Sequence, residues 1–163
     1  MRALCLLLLT LLAACDTGSV QYLEAPGQDD DALRTAAAEA WATVGVEAPE
    51  DYSLLFLDRE TLTEACHAPI ALPDGSELPP GGCSFPGVVL VSTVADFARQ
   101  QTVLIHELGH IMRGEIRDGE LDHAHLDCPE TAGGQFLGRD VMCMTGAPAG
   151  QLPTIRDIAF VAR

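Results

Sequence analysis

No lysine occurs in the 163 residues, and the nine cationic side chains, all arginine, face 24 acids for a formal net charge of −15. A nucleic-acid binder needs a basic footprint to displace counterions from phosphate. This chain lacks one, which excludes that class of partner. The same imbalance excludes attraction to an anionic lipid surface, so a membrane link would need a lipid anchor. No C-x-x-C pair occurs, which removes the common signature of a cysteine zinc site. Internal repeats and low-complexity segments are also missing. The length then suggests one domain of ordinary size, expected to be a monomer.

The longest apolar run lies at the start. Ala3 to Leu12 is apolar apart from Thr10, follows Arg2, and leads to Ala13-Ala14-Cys15. It is too short to cross a bilayer as a helix and has the shape of a secretory signal. Leu12-Ala13-Ala14-Cys15 resembles the bacterial lipobox, in which the cysteine becomes the lipidated N-terminus. The expected organisation is a signal over 1–15, a tether over 16–28 and a folded domain over 29–163. The expected place is the cell envelope, lipid-anchored on the periplasmic or outer face, or secreted if Cys15 carries no lipid.

Four cysteines remain beyond Cys5 and Cys15: Cys66, Cys83, Cys128 and Cys143. An even number in an exported chain suggests disulfides, with three possible pairings. Local pairing, Cys66 with Cys83 and Cys128 with Cys143, is the simplest because each closes a short loop.

Asp29-Asp30-Asp31 precedes an alanine-rich stretch, Ala32 to Val44. Acids at a helix start satisfy free N–H groups and oppose the dipole. Leu33, Ala36, Ala37, Ala40, Trp41 and Val44 recur at helical spacing, which predicts a helix packed on a sheet through Leu33, Trp41 and Val44. Tyr52–Leu57 and Gly87–Ser92 read as strands, with a short helical turn over Arg59–Cys66. The proline-rich stretch 68–86 reads as a loop, and His67 beside it as a surface residue. Glu115–Asp122 reads as exposed, and Leu152–Arg163 as a closing helix with Pro153 near its start.

Residues 106–110 read HELGH. Histidines four apart lie on one face of a helix, one turn from each other, so His106 and His110 can bind one zinc ion from the same side. Glu107 then places a carboxylate beside that ion, where it can take a proton from water. The helix is expected from Ala95 to Arg113, with Gly114 as its stop. A catalytic zinc normally has three protein ligands. His123 and His125 follow on a segment that could fold back, and either supplies the third imidazole.

In this order, HELGH, a later histidine, Asp140-Val141-Met142 and Arg156-Asp157-Ile158 resemble the metzincin zinc metallopeptidases, especially matrixin-like ones. Asp140-Val141-Met142 looks like their methionine turn, and the stretch from His125 looks like the one beginning at their third histidine. The resemblance covers about residues 87–163. It implies an α+β zincin domain: a mixed sheet, an N-terminal helix, the HELGH helix, a Met-turn at Met142 and a C-terminal helix. It also implies one catalytic Zn²⁺ and peptide or protein substrates. The family's contiguous motif would put glycine at 113 and histidine at 116, where this chain has Arg113 and Ile116. The spacer is therefore enlarged. His125 fits the following residues better, while Gly119-Glu120-Leu121-Asp122-His123 loosely echoes the family's own approach to its histidine. The expected function is zinc endopeptidase, with Glu107 as base and Gly87–Ser92 as the edge strand that takes an extended peptide. Two rival classes are a metal-binding lipoprotein without catalysis, and a metal-free domain with His106 and His110 as surface polar residues.

Overall fold

A computed structural model describes residues 29–66, 70–71, 77–78, 80–117, 120–121, 124–126, 140–143 and 148–162. The expected signal, the lipobox Cys15 and the tether lie outside them, as do His67, His123 and Cys128. No helix among the described residues is long and apolar enough to cross a membrane.

Helix α1, Asp30–Ala42, starts where Asp29 accepts from the Ala32 N–H at 2.9 Å. Strand β1, Ser53–Leu57, leads into helix α2, Arg59–Cys66. Asp58 heads α2 by accepting from the N–H and hydroxyl of Thr61, which holds its carboxyl below the usual range. A small pair follows, β2, Ile70–Ala71, with β3, Glu77–Leu78. Strand β4, Gly82–Phe85, and strand β5, Val88–Ser92, form a hairpin, and helix α3 spans Phe97–Arg113. A second small hairpin, β6, Ile116–Arg117, with β7, Glu120–Leu121, precedes helix α4, Ile155–Val161. The domain is thus α+β, with a mixed sheet ordered β1-β5-β4, β1 parallel and β4 antiparallel to β5.

That order corrects one expectation. Strand β5 lies in the middle of the sheet, paired on both sides, so it cannot present an edge to a peptide. Strand β4, which falls in the stretch expected to be loop, occupies the place beside it. Pro86-Gly87 makes the turn, with Gly87 at φ 73°, and Phe85 pairs with Val88 across it. Gly82 lets β4 lie close to α3. A Cβ there would come within 2.5 Å of both the Leu90 carbonyl oxygen and Val103.

The sheet separates two apolar regions. Leu54, Val89 and Val91 face α1 and α3, in a core with Leu33, Trp41, Leu104 and Leu108. Leu57, Cys83 and Leu90 face the other way, onto Leu62 of α2. Alternation along each strand produces this division. Helix α1 packs chiefly on α3 rather than on the sheet. Fully buried Trp41 donates its indole N–H to the Ile105 carbonyl at 3.1 Å, bridging the two helices. The Cys66–Cys83 disulfide, as expected, ties the end of α2 to β4.

Candidate metal centre

Helix α3 begins where Asp96 accepts from the Arg99 N–H and ends at Gly114, left-handed at φ 62°. Its burial is deep: Val103, Leu104, Ile105, Leu108, Gly109 and His110 all lie inside. The helical repeat puts His106 and His110 one above the other, with ring centroids 4.8 Å apart. His125 comes to the same place from the segment after β7. The Nε2 of His106 lies 3.1 Å from that of His110 and 3.2 Å from that of His125. Among the described residues, His106, His110 and His125 form the group able to hold a metal ion. His123, the other histidine expected as a third ligand, lies outside those residues.

Two observations test whether a metal fits. A tetrahedral ion with bonds of about 2.0–2.1 Å separates its nitrogen ligands by roughly 3.3 Å, close to the observed spacings. The second concerns the tautomer. His106 Nδ1 lies 2.5 Å from the Val141 carbonyl oxygen. A carbonyl can only accept, so Nδ1 carries the proton and Nε2 offers its lone pair toward the other rings. The donor set therefore fits a metal that favours imidazole.

Residues 140–143 hold this arrangement together. Asp157, fully buried on α4, accepts from the Val141 N–H at 3.1 Å and the Met142 N–H at 2.9 Å. It also accepts from the Thr154 N–H at 2.7 Å, as half of a capping box that starts α4. The turn's carbonyls point the other way. Val141 orients His106, and Met142 accepts from the Leu126 N–H at 2.9 Å, next to His125. One short turn thus links α4 to two of the three imidazoles. Asp140 adds an ion pair with Arg156 at 2.6 Å and accepts from the Thr154 hydroxyl.

Met142 is fully buried and lies against Gly109. A Cβ at Gly109 would collide with the Met142 sulfur. The glycine inside HELGH is therefore what lets the turn approach the helix beside its histidines. Cys143 is disulfide-bonded and fully buried, and its expected partner Cys128 lies outside the described residues.

Glu107 is buried at 5 % exposure, and its Oε2 accepts from the Ser84 hydroxyl at 2.9 Å. Ser84 is fully buried on β4. No sequence motif points to Ser84, because the prolines around β4 suggest a loop. The signal that could have found the strand is the Pro86-Gly87 turn just after it. A scan against protein-family models, and searches of curated proteins and of solved structures, each found no match.

Proposed function

We propose that this protein is a zinc-dependent endopeptidase of metzincin-like build. The observation that carries the reading is the convergence of three imidazole Nε2 atoms on a helix that also supplies a buried glutamate. Three imidazoles suit zinc among the common divalent metals. When bound, zinc supplies Lewis acidity that activates water and polarises a carbonyl. The chain's own residues do the rest. His106, His110 and His125 hold the ion, with His106 set by the Val141 carbonyl. Glu107 takes a proton from the attacking water and passes it to the leaving amine.

The metzincin resemblance supports this assignment: HELGH, His125, Asp140-Val141-Met142 and Asp157-Ile158 follow in the family's order. The enlarged spacer contains β6 and β7, a hairpin between α3 and His125. An extended peptide would pair along β4, which among the described residues is the last strand of the sheet on that side. Lipidation at Cys15 would anchor the domain to the envelope, and Cys15→Ser is then expected to move the protein from the membrane fraction to the soluble one.

The test is Glu107→Gln. It should keep stoichiometric zinc by elemental analysis and lose hydrolysis of an unfolded protein by about a hundredfold or more, the usual worth of a positioned base. Hydrolysis at full rate with zinc retained rejects the assignment. A wild-type chain that holds zinc but cleaves no peptide belongs to the rival class, a metal-binding lipoprotein.

A further inference from the structure

Ser84 has no part in the resemblance to metallopeptidases, yet its placement is specific. It faces the α3 side of the sheet, opposite Val89 in the β4–β5 register, where its strand neighbours Val89 and Val91 are fully buried and apolar. A hydroxyl on such a face costs free energy unless it is hydrogen-bonded. Here it donates to Glu107 Oε2 at 2.9 Å, with both residues buried. Val103, Leu104 and Leu108, which share the buried side of α3 with Glu107, are apolar.

From this we infer that Ser84 is a positioning residue for the proton-transfer step, acting through Glu107. The inference rests on the endopeptidase reading. A glutamate side chain has three rotatable bonds, and one fixed oxygen removes much of that freedom. The hydroxyl holds Oε2 and commits Oε1 to proton transfer. A hydroxyl donor at 2.9 Å fixes one carboxyl oxygen and so favours one rotamer. The arrangement also connects the edge strand to the base. Ser84 lies in the middle of β4, so a peptide paired along that strand lies one residue's width from the group that holds Glu107.

The experiment compares wild type, Ser84→Ala, Ser84→Thr and Glu107→Ala, each as the full chain. Zinc affinity, steady-state peptide hydrolysis and thermal unfolding of the metal-free protein are measured for each. Ser84→Ala is expected to lower kcat on the order of tenfold, the worth of one hydrogen bond, with KM and zinc affinity within about twofold. Ser84→Thr, which restores the hydroxyl, should recover most of kcat. In the metal-free protein, Ser84→Ala should lower the unfolding temperature, and by clearly less in a Glu107→Ala background, which removes the carboxylate. Wild-type kcat in Ser84→Ala overturns this inference and leaves the endopeptidase reading intact. So does an equal unfolding shift in both backgrounds. A wild type that binds zinc and cleaves nothing overturns both. If Ser84→Thr fails to fold, the kcat of Ser84→Ala and the comparison of unfolding in the two backgrounds decide together.

Discussion

Gly109 shows how much a single atom decides at this centre. An alanine there would gain about 1 kcal/mol of helix propensity. The added Cβ would strike the end of Met142, a flexible side chain that is nevertheless fully buried, with Trp41 close behind. Met142 has nowhere to move without shifting its own turn, and overpacking of this kind costs about 1–3 kcal/mol. The clash outweighs the propensity. Gly109→Ala is therefore expected to lower stability and to weaken metal binding, because the displaced turn carries the carbonyl that orients His106. Calorimetry with a zinc titration measures both. Removing the clash with Met142→Ala in the same chain should make the double variant less damaged than the sum of the two singles. Strict additivity would mean that Met142 is not what the new methyl meets.

Among the elements, α4 has the clearest influence beyond its own length. Its buried Asp157 holds two N–H groups of the turn and one of its own cap. Asp157→Asn keeps the size but removes the charge and one acceptor oxygen. The expected loss is about 1.5–3 kcal/mol, the worth of hydrogen bonds to a charged group. Metal affinity should fall about tenfold to a hundredfold, as for other residues that orient ligands from behind. The measurements are metal-free unfolding and a competitive chelator titration. Asp140→Asn, which disturbs an ion pair whose Arg156 is half exposed, should cost less in both. An equal cost would place the restraint in the whole turn rather than in Asp157.

The same elements show what could be read from the chain. Helices α1 and α3 have regular apolar spacing at the helical period, and strands β1 and β5 are short, dense apolar runs bounded by polar and turn residues, which makes their types legible. Strand β4 lacks such a run. It is four residues long, its inward position carries Ser84 rather than an apolar residue, and it sits among prolines that suggest a loop. Yet Pro86-Gly87 between two strand-length segments is a turn signal. Without β4 the sheet would end at β5, which is why the sequence points to Gly87–Ser92 as the edge. The hairpin of β6 and β7 has two residues per strand, too few for any period to register. At the site, HELGH named two imidazoles through spacing alone. The approach of His125 depends on the bond from Leu126 to Met142, a tertiary contact that no local pattern encodes. Asp157 serves both its own helix cap and the turn, a double use that no local pattern encodes.

For the whole molecule, the sheet's two faces carry different devices. The histidines, Glu107 and the turn belong to the side of α1 and α3, while α2 and the Cys66–Cys83 bridge belong to the other. The bridge spans a sequence separation of 17. A loop of that size restricts the unfolded chain by about 3 kcal/mol in the loop-closure account. Replacing both cysteines by serine is therefore expected to lower stability by about that amount. Strand β4 should remain in place, because Cys83 is paired with Leu90 through the β5 ladder and Gly82 is seated on Val103. Zinc affinity should then change by no more than about twofold once the fraction folded is accounted for, since ligand binding is linked to stability only through the folded state. Denaturant unfolding with and without zinc separates the two quantities. A parallel fall in intrinsic affinity would mean that the bridge restrains the histidine face through β4. The sheet would then transmit strain between its two sides instead of insulating one from the other.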